Sequence, residues 1–349
     1  MKTRITAVML TIAILCTLLC SCSVFDSEKK QVREYFGYFD TFSSLTVYTS
    51  DEDLFNSAAE ALDSLLSDYD KLLSIYDSHD GITNLKALNQ NAGKQALKLD
   101  TRLIDAIAFG ADMYTLTDGQ VNIALGSVIS LWHEAREHSL KNPESAYIPD
   151  PSAISEALLH TDISSIVIDR NASTVAITDP ETSIDLGAIA KGYVAERAEE
   201  LLISMGVDCF LLNLGGNVLS RGLKPNGESW AALIENPFED GKGGYNSAIQ
   251  ISDLSLVTSG SYQRFYEFDG KEYSHIISSR DGMPPEYFVS VSILSDASES
   301  GLADALSTAL FCLPLEEGRA LIDSIDGVEA LWILPDGSVE LSERFGGAK

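Results

Sequence analysis

Apolar positions along the chain alternate between two periods. Three- and four-residue spacing predicts amphipathic helices over about 51–73, 101–116, 151–160, 188–205, 300–312 and 315–325. Two-residue alternation and short apolar runs predict strands near 42–49, 164–169, 173–178, 208–214, 229–235, 247–251, 271–278, 287–295 and 329–334. Neighbouring strands read as hairpins, as in Ser165–Asp169 and Thr174–Thr178 around Arg170-Asn171-Ala172. The expected class is therefore α+β, with largely antiparallel sheets packed with helices. Pro143, Pro149 and Pro151 make about 137–150 an exposed loop. No internal repeat or low-complexity linker interrupts the pattern, so residues 35–340 are expected to form a single domain.

The first residues follow a different logic. Lys2 and Arg4 precede an almost wholly apolar run from Ile5 to Leu19, which ends in Leu19-Cys20-Ser21-Cys22. That run is shorter than the roughly 20 residues a spanning helix needs. The stretch looks like a bacterial lipoprotein signal over residues 1–21, with Cys22 lipidated and residues 22–34 a polar, flexible tether. On this reading the domain works outside the cytoplasm, anchored to a bacterial membrane by lipid.

Charge narrows the partners. The chain carries 24 Lys and Arg against 52 Asp and Glu, a net charge of −28. Loss of Lys2 and Arg4 with the signal leaves 22 against 52, or −30. Such a surface repels nucleic acid, and any anionic ligand must be held by local devices. Of the five cysteines, Cys16, Cys20 and Cys22 fall in the signal; Cys209 and Cys312 sit in apolar surroundings as buried thiols or a disulfide.

One such local device is Ser183–Leu202, SIDLGAIAKGYVAERAEELL. It sets Asp185, the small residues Gly187, Ala188 and Gly192, and Lys191 at the mouth of a helix, where free N–H groups and the dipole favour a phosphate. Val194, Ala198, Leu201, Leu202 and Met205 bury the far face. The strand that follows ends in Asn213-Leu214-Gly215-Gly216-Asn217. The sequence beyond it alternates like another strand and opens no helix, which excludes a dinucleotide-binding fingerprint; Gly187–Gly192 likewise lacks the Gly-Lys-Ser/Thr ending of a P-loop. By themselves the glycines are also compatible with a tight hairpin.

Two further constellations carry chemistry. In Ser298–Leu313, Asp304 and Thr308 lie one helical turn apart beside an apolar face, with Ser298 or Ser300 available as the cap. The pair suits a hard cation such as Mg²⁺, and Asp304 is equally readable as a solvated helix residue. In Thr258–Gly282, two aromatic-rich strands flank Asp269-Gly270 and the second ends in His275, a general base or a hydrogen-bonded strand residue. His133 and His138 are five apart and lack zinc-protease spacing.

Asp185-Leu-Gly-Ala-Ile-Ala-Lys-Gly192, Asn213-Leu-Gly-Gly-Asn217, Thr258-Ser-Gly260, His275-Ile276-Ile277 and Ala303-Asp-Ala-Leu-Ser-Thr308, in this order, resemble the ApbE family of FAD:protein FMN transferases. The resemblance runs from Phe39 to about Leu334. It implies an ApbE-like fold and an extracytoplasmic, Mg²⁺-dependent enzyme. Such an enzyme splits the pyrophosphate of FAD, moves FMN onto a Ser or Thr hydroxyl of an acceptor flavoprotein and releases AMP.

Residue by residue, the resemblance implies that the Ala188 carbonyl, Asp304 and Thr308 ligate the metal and that Asp185 and Lys191 contact FAD. His275 falls at the base position, with Ile276 beside it. Tyr76 matches a flavin-lining position. Gly119-Gln120-Val121 matches the family's Gly-x-Phe strand along the cofactor. Phe39-Asp40-Thr41 replaces a more usual Met-Gly-Thr, Asn122 an Asp, and Ser278-Ser279 an Asp-Pro; these departures bear on the fine placement of the flavin. An FAD-binding lipoprotein, an FAD pyrophosphatase and a structural surface lipoprotein are the competing readings.

Overall fold

The computed structural model describes residues 28–238, 244–245 and 247–345. The signal over 1–21 and the lipidation site Cys22 lie outside the described residues. In chain order the elements are β1 (Lys29–Phe36), β2 (Phe42–Thr49), α1 (Glu52–Leu73), α2 (Leu85–Asn89), β3 (Leu97–Lys98), α3 (Thr101–Leu116), α4 (Gly126–Lys141) and α5 (Pro151–Leu158). They continue with β4 (Ile166–Asp169), β5 (Thr174–Ile177), α6 (Ala190–Ser204), β6 (Phe210–Leu214), β7 (Asn217–Arg221), β8 (Trp230–Leu233), β9 (Ala248–Ile251) and β10 (Leu254–Gly260). The last are β11 (Phe265–Phe268), β12 (Lys271–Ser274), β13 (Ser290–Asp296), α7 (Ser300–Phe311), α8 (Leu315–Asp323), β14 (Glu329–Ile333) and β15 (Val339–Leu341).

An eight-stranded sheet in the order β1-β2-β6-β7-β10-β13-β14-β15, antiparallel at every pairing, forms the frame. Its alternating side chains serve two layers. Val257, Val291, Ile293, Ala330 and Trp332 meet Ala303, Leu306 and Leu310 of α7. Leu256, Leu294, Leu331 and Ile333 on the opposite face meet Trp230, Ile249 and Ile251 of the β8–β9 hairpin. The long helix α1, capped by Asp51 (Leu54 N to Asp51 Oδ1, 2.9 Å), buries Phe55, Ala58, Leu62, Leu66, Tyr69 and Leu73 at three- and four-residue spacing. A three-stranded sheet, β3-β5-β4, and the β11–β12 hairpin complete the α+β fold expected from the pattern.

Several expectations are corrected. Order begins inside the segment read as a tether over 22–34, because Lys29–Phe36 pairs with β2 along its whole length. The segment read as a loop from about 137 is the end of helix α4, and irregular structure starts only after Lys141. Gly119-Gln120-Val121 lies in the turn after α3 instead of a strand, with Gly119 N–H donating to Tyr114 O and Gln120 N–H to Thr117 O. Neither Ser298 nor Ser300 caps α7; Glu299 holds the cap position and makes no side-chain capping bond. Asp304, open to a reading as a solvated residue, is 3% exposed. Cys209 and Cys312 are free thiols.

Candidate functional site

A single cleft of about 810 Å³ opens where α6, α7, α4 and the β11–β12 hairpin meet. Its wall includes Phe39, Tyr76, Gln120, Val121, Asp185, Ala188, Lys191, His275, Ile276, Asp304 and Thr308. Residues scattered over most of the chain therefore converge on one site. Of the expected set only Gly119 stands back from this wall; its carbonyl instead accepts a 2.7 Å hydrogen bond from Ser279 Oγ.

The approach of α6 to α7 decides the geometry. A Cβ on Gly192 would lie 2.3 Å from Ser300 O and 2.6 Å from Asp304 Cβ, so only glycine lets the two backbones meet. Gly192 N–H, which in an uninterrupted helix would donate to the Ala188 carbonyl, donates instead to Asp304 Oδ2 at 2.8 Å. Among the described residues no hydrogen bond reaches the Ala188 oxygen.

Burial pushes the Asp304 carboxyl above its ordinary range, opposed first by Lys191, whose Nζ stands 3.9 Å from Oδ1. A buried carboxylate, a free carbonyl and the Thr308 hydroxyl form an all-oxygen donor set that fits a hard divalent cation. Among the described residues no group of three or more His, Cys, Asp or Glu is placed to hold a metal. A cation here would draw on mixed oxygen donors.

Asp185 closes its own turn by accepting Gly187 N–H at 2.7 Å, and burial raises its carboxyl as well. His275 follows β12; its main chain donates to Arg264 O at 3.0 Å, and Nδ1 lies 3.1 Å from the same oxygen. A carbonyl only accepts, so Nδ1 carries the proton and Nε2 keeps the lone pair. Burial lowers the His275 pKa to about 4, so the ring is neutral at pH 7.

Three features escaped the sequence reading. Arg136 and Arg264 join Lys191 on the wall, gathering cations inside an acidic molecule. Arg264 also fixes the rim by donating to Asp40 O at 2.9 Å, next to Phe39, which has a left-handed φ of 53°. His133 stacks on Tyr76 at 4.8 Å and 29°, a ready-made aromatic platform. The sparse basic residues of so acidic a chain, especially Arg264 within an aromatic strand pair, were the available signal. Gln120, 7% exposed, turns an unpartnered Oε1 toward the same region.

The ApbE family model matches residues 39–332. The chain belongs to the ApbE family. It is 34% identical to the FAD:protein FMN transferase of Treponema pallidum over 82% of this chain and 80% of that protein. With the enzyme of the same name from Klebsiella pneumoniae it shares 30% identity over 85% and 87%. The ApbE protein of Thermotoga maritima superposes with a TM-score of 0.79 at 26% identity, covering 91% of this chain and 98% of that one. The flavin transferase ApbE of Vibrio cholerae shares the fold at a TM-score of 0.74, with 24% identity over 91% and 99%. In this ApbE-family chain Asn122 donates to Thr161 O at 2.8 Å and accepts Ala124 N–H at 2.9 Å. The first bond needs an amide donor, so the Asn122 side chain serves to hold the loop.

Proposed function

We propose that this chain transfers FMN from FAD to a Ser or Thr hydroxyl of an acceptor flavoprotein, with release of AMP. The observation that carries this reading is the convergence of the Ala188–Gly192 turn with Asp304 and Thr308 beside His275, in one cleft large enough for a dinucleotide. Tyr76, stacked on His133, offers an apolar face to the isoalloxazine ring, while Lys191, Arg136 and Arg264 meet the diphosphate charge.

The acceptor oxygen attacks the FMN-side phosphorus, and the bond from that phosphorus to the bridging oxygen breaks. His275 Nε2 takes the hydroxyl proton, and AMP leaves with the bridging oxygen. Lys191 balances charge on the phosphoryl oxygens. A Mg²⁺ held by the Ala188 carbonyl, Asp304 and Thr308 would supply Lewis-acid neutralisation of that same charge.

The reading also includes a signal over 1–21 and lipidation of Cys22, which together hold the domain at the outer side of a bacterial membrane. Among the described residues no helix is long and apolar enough to cross a membrane. Incubation with FAD, Mg²⁺ and a candidate respiratory flavoprotein subunit tests the activity. Expected are a flavin-fluorescent acceptor band in a denaturing gel and one AMP per flavin transferred. Free FMN with an unlabelled acceptor would make the chain a pyrophosphatase, and bound FAD without AMP a carrier.

A further inference from the structure

Helix α7 begins without a cap of its own: Glu299 at the cap position makes no side-chain bond to the first turn. The N–H of Gly301 would be an orphan donor there. It donates at 2.7 Å to Oε1 of Glu196, a residue of α6 that is 105 positions earlier and 8% exposed. The reverse bond lies one turn away. Gly192 N–H on α6 donates to Asp304 Oδ2 on α7, so each helix gives a backbone amide to a buried carboxylate of the other.

The two bonds span four residues on α6 and three on α7, and they lie beside the contact at which Gly192 meets Ser300 O. Gly301 is confined less tightly: an added Cβ would stand 2.9 Å from Phe109 Cζ and 3.1 Å from Glu196 Oε1. The second Glu196 oxygen accepts from Arg197 Nη2 at 3.2 Å, which directs Oε1 inward.

We propose that Glu196 is a positioning residue, which through the Gly301 amide sets the depth of α7 against α6 and so places Asp304 and Thr308 opposite the Ala188 carbonyl. Glu196 acts only through α7, and it lies outside the cleft wall. The inference rests on the proposed cation site. Groups that orient ligands without touching a metal typically change its affinity by about 10- to 100-fold.

The test is Mn²⁺ titration of the protein by electron paramagnetic resonance, with Mn²⁺ alone as the probe, in the parent and in E196A, E196Q and E196D. E196A is expected to weaken Mn²⁺ binding at least about ten-fold, whereas E196Q, which keeps an oxygen for the Gly301 amide, stays within about three-fold of the parent. If E196A does not fold, E196D replaces it, because its shorter side chain withdraws the oxygen; the same ten-fold loss is expected. Parent-like Mn²⁺ affinity in the folded E196A or E196D variant overturns the positioning role while leaving the cation site standing. Absence of Mn²⁺ binding in the parent overturns the site itself and this inference with it.

Discussion

Replacing Asp304 with alanine deletes a carboxylate that the chain buries against one 2.8 Å amide and a lysine 3.9 Å away. Leaving Gly192 N–H unpaired costs about 1–3 kcal/mol, offset in part by removal of a buried charge. The Asp304→Ala variant is therefore expected to fold, with a native circular dichroism spectrum, and to lose flavin transfer. Full transfer by the folded variant would remove Asp304 from the site. His275 makes a second, pH-based test. Its pKa is lowered to about 4 in the folded protein, against about 6.5 unfolded. Between those values the unfolded chain binds a proton that the folded chain does not, so stability falls as pH drops through that window. The imidazole is expected to stay neutral down to about pH 5 by NMR titration; a midpoint near 6.5 would contradict a desolvated base. His275→Asn is expected to keep FAD binding and lose transfer. These residues were legible because Asp185, Ala188 and Lys191 lie within one turn-and-helix segment and Asp304 and Thr308 one helical turn apart. Arg136 and Arg264 were not, since beyond the scarcity of basic residues nothing local distinguishes an arginine that faces a cleft from one that faces water.

At the scale of elements, Gly192 governs the meeting of α6 and α7. Gly192→Ala would drive a Cβ into Ser300 O and Asp304 Cβ, and overpacking of this kind costs about 1–3 kcal/mol. The expected outcome is a lower urea midpoint together with a larger loss of transfer, because the clash separates the two halves of the site. A variant with parental activity would show that the close approach is dispensable. Helices α1, α6 and α7 were legible from strong apolar stripes. Helix α4 was hidden because its buried positions, Gly126, Val128, Trp132, Ala135 and Ser139, include only two large apolar side chains. Strand β10 was hidden for a related reason. Its serines turn toward α7, Ser255 Oγ 2.9 Å from Ser300 Oγ and Ser259 Oγ 2.7 Å from Ser307 Oγ, so a central strand reads as polar. Strand β1, exposed along most of its length at the sheet edge, carries the polar composition of a tether.

Across the whole molecule, two electrostatic ranges oppose each other. A net charge of −28 repels FAD at a distance, whereas Lys191, Arg136 and Arg264 attract it only within the cleft. Salt screens the long-range repulsion first. The rate of FAD association is therefore expected to rise between about 0.01 and 0.15 M salt, as the Debye length shortens from about 30 to 8 Å. Stopped-flow flavin quenching measures it, and a steep fall would mean that the local cations dominate at all distances. The fold class and the antiparallel sheet were legible because most strands, β1 and β10 apart, carry their own alternation or apolar run. The cleft was not, since it exists only when residues from Phe39 to Thr308 are brought together by the sheet.

Anomalous diffraction from crystals of this protein grown with Mn²⁺ and FAD bears most directly on the joined halves of the site. One metal peak within coordination range of the Ala188 carbonyl, Asp304 and Thr308, in contact with the FAD diphosphate, is the expected result. A peak bound elsewhere, or a diphosphate remote from the Ala188–Gly192 turn, would contradict it.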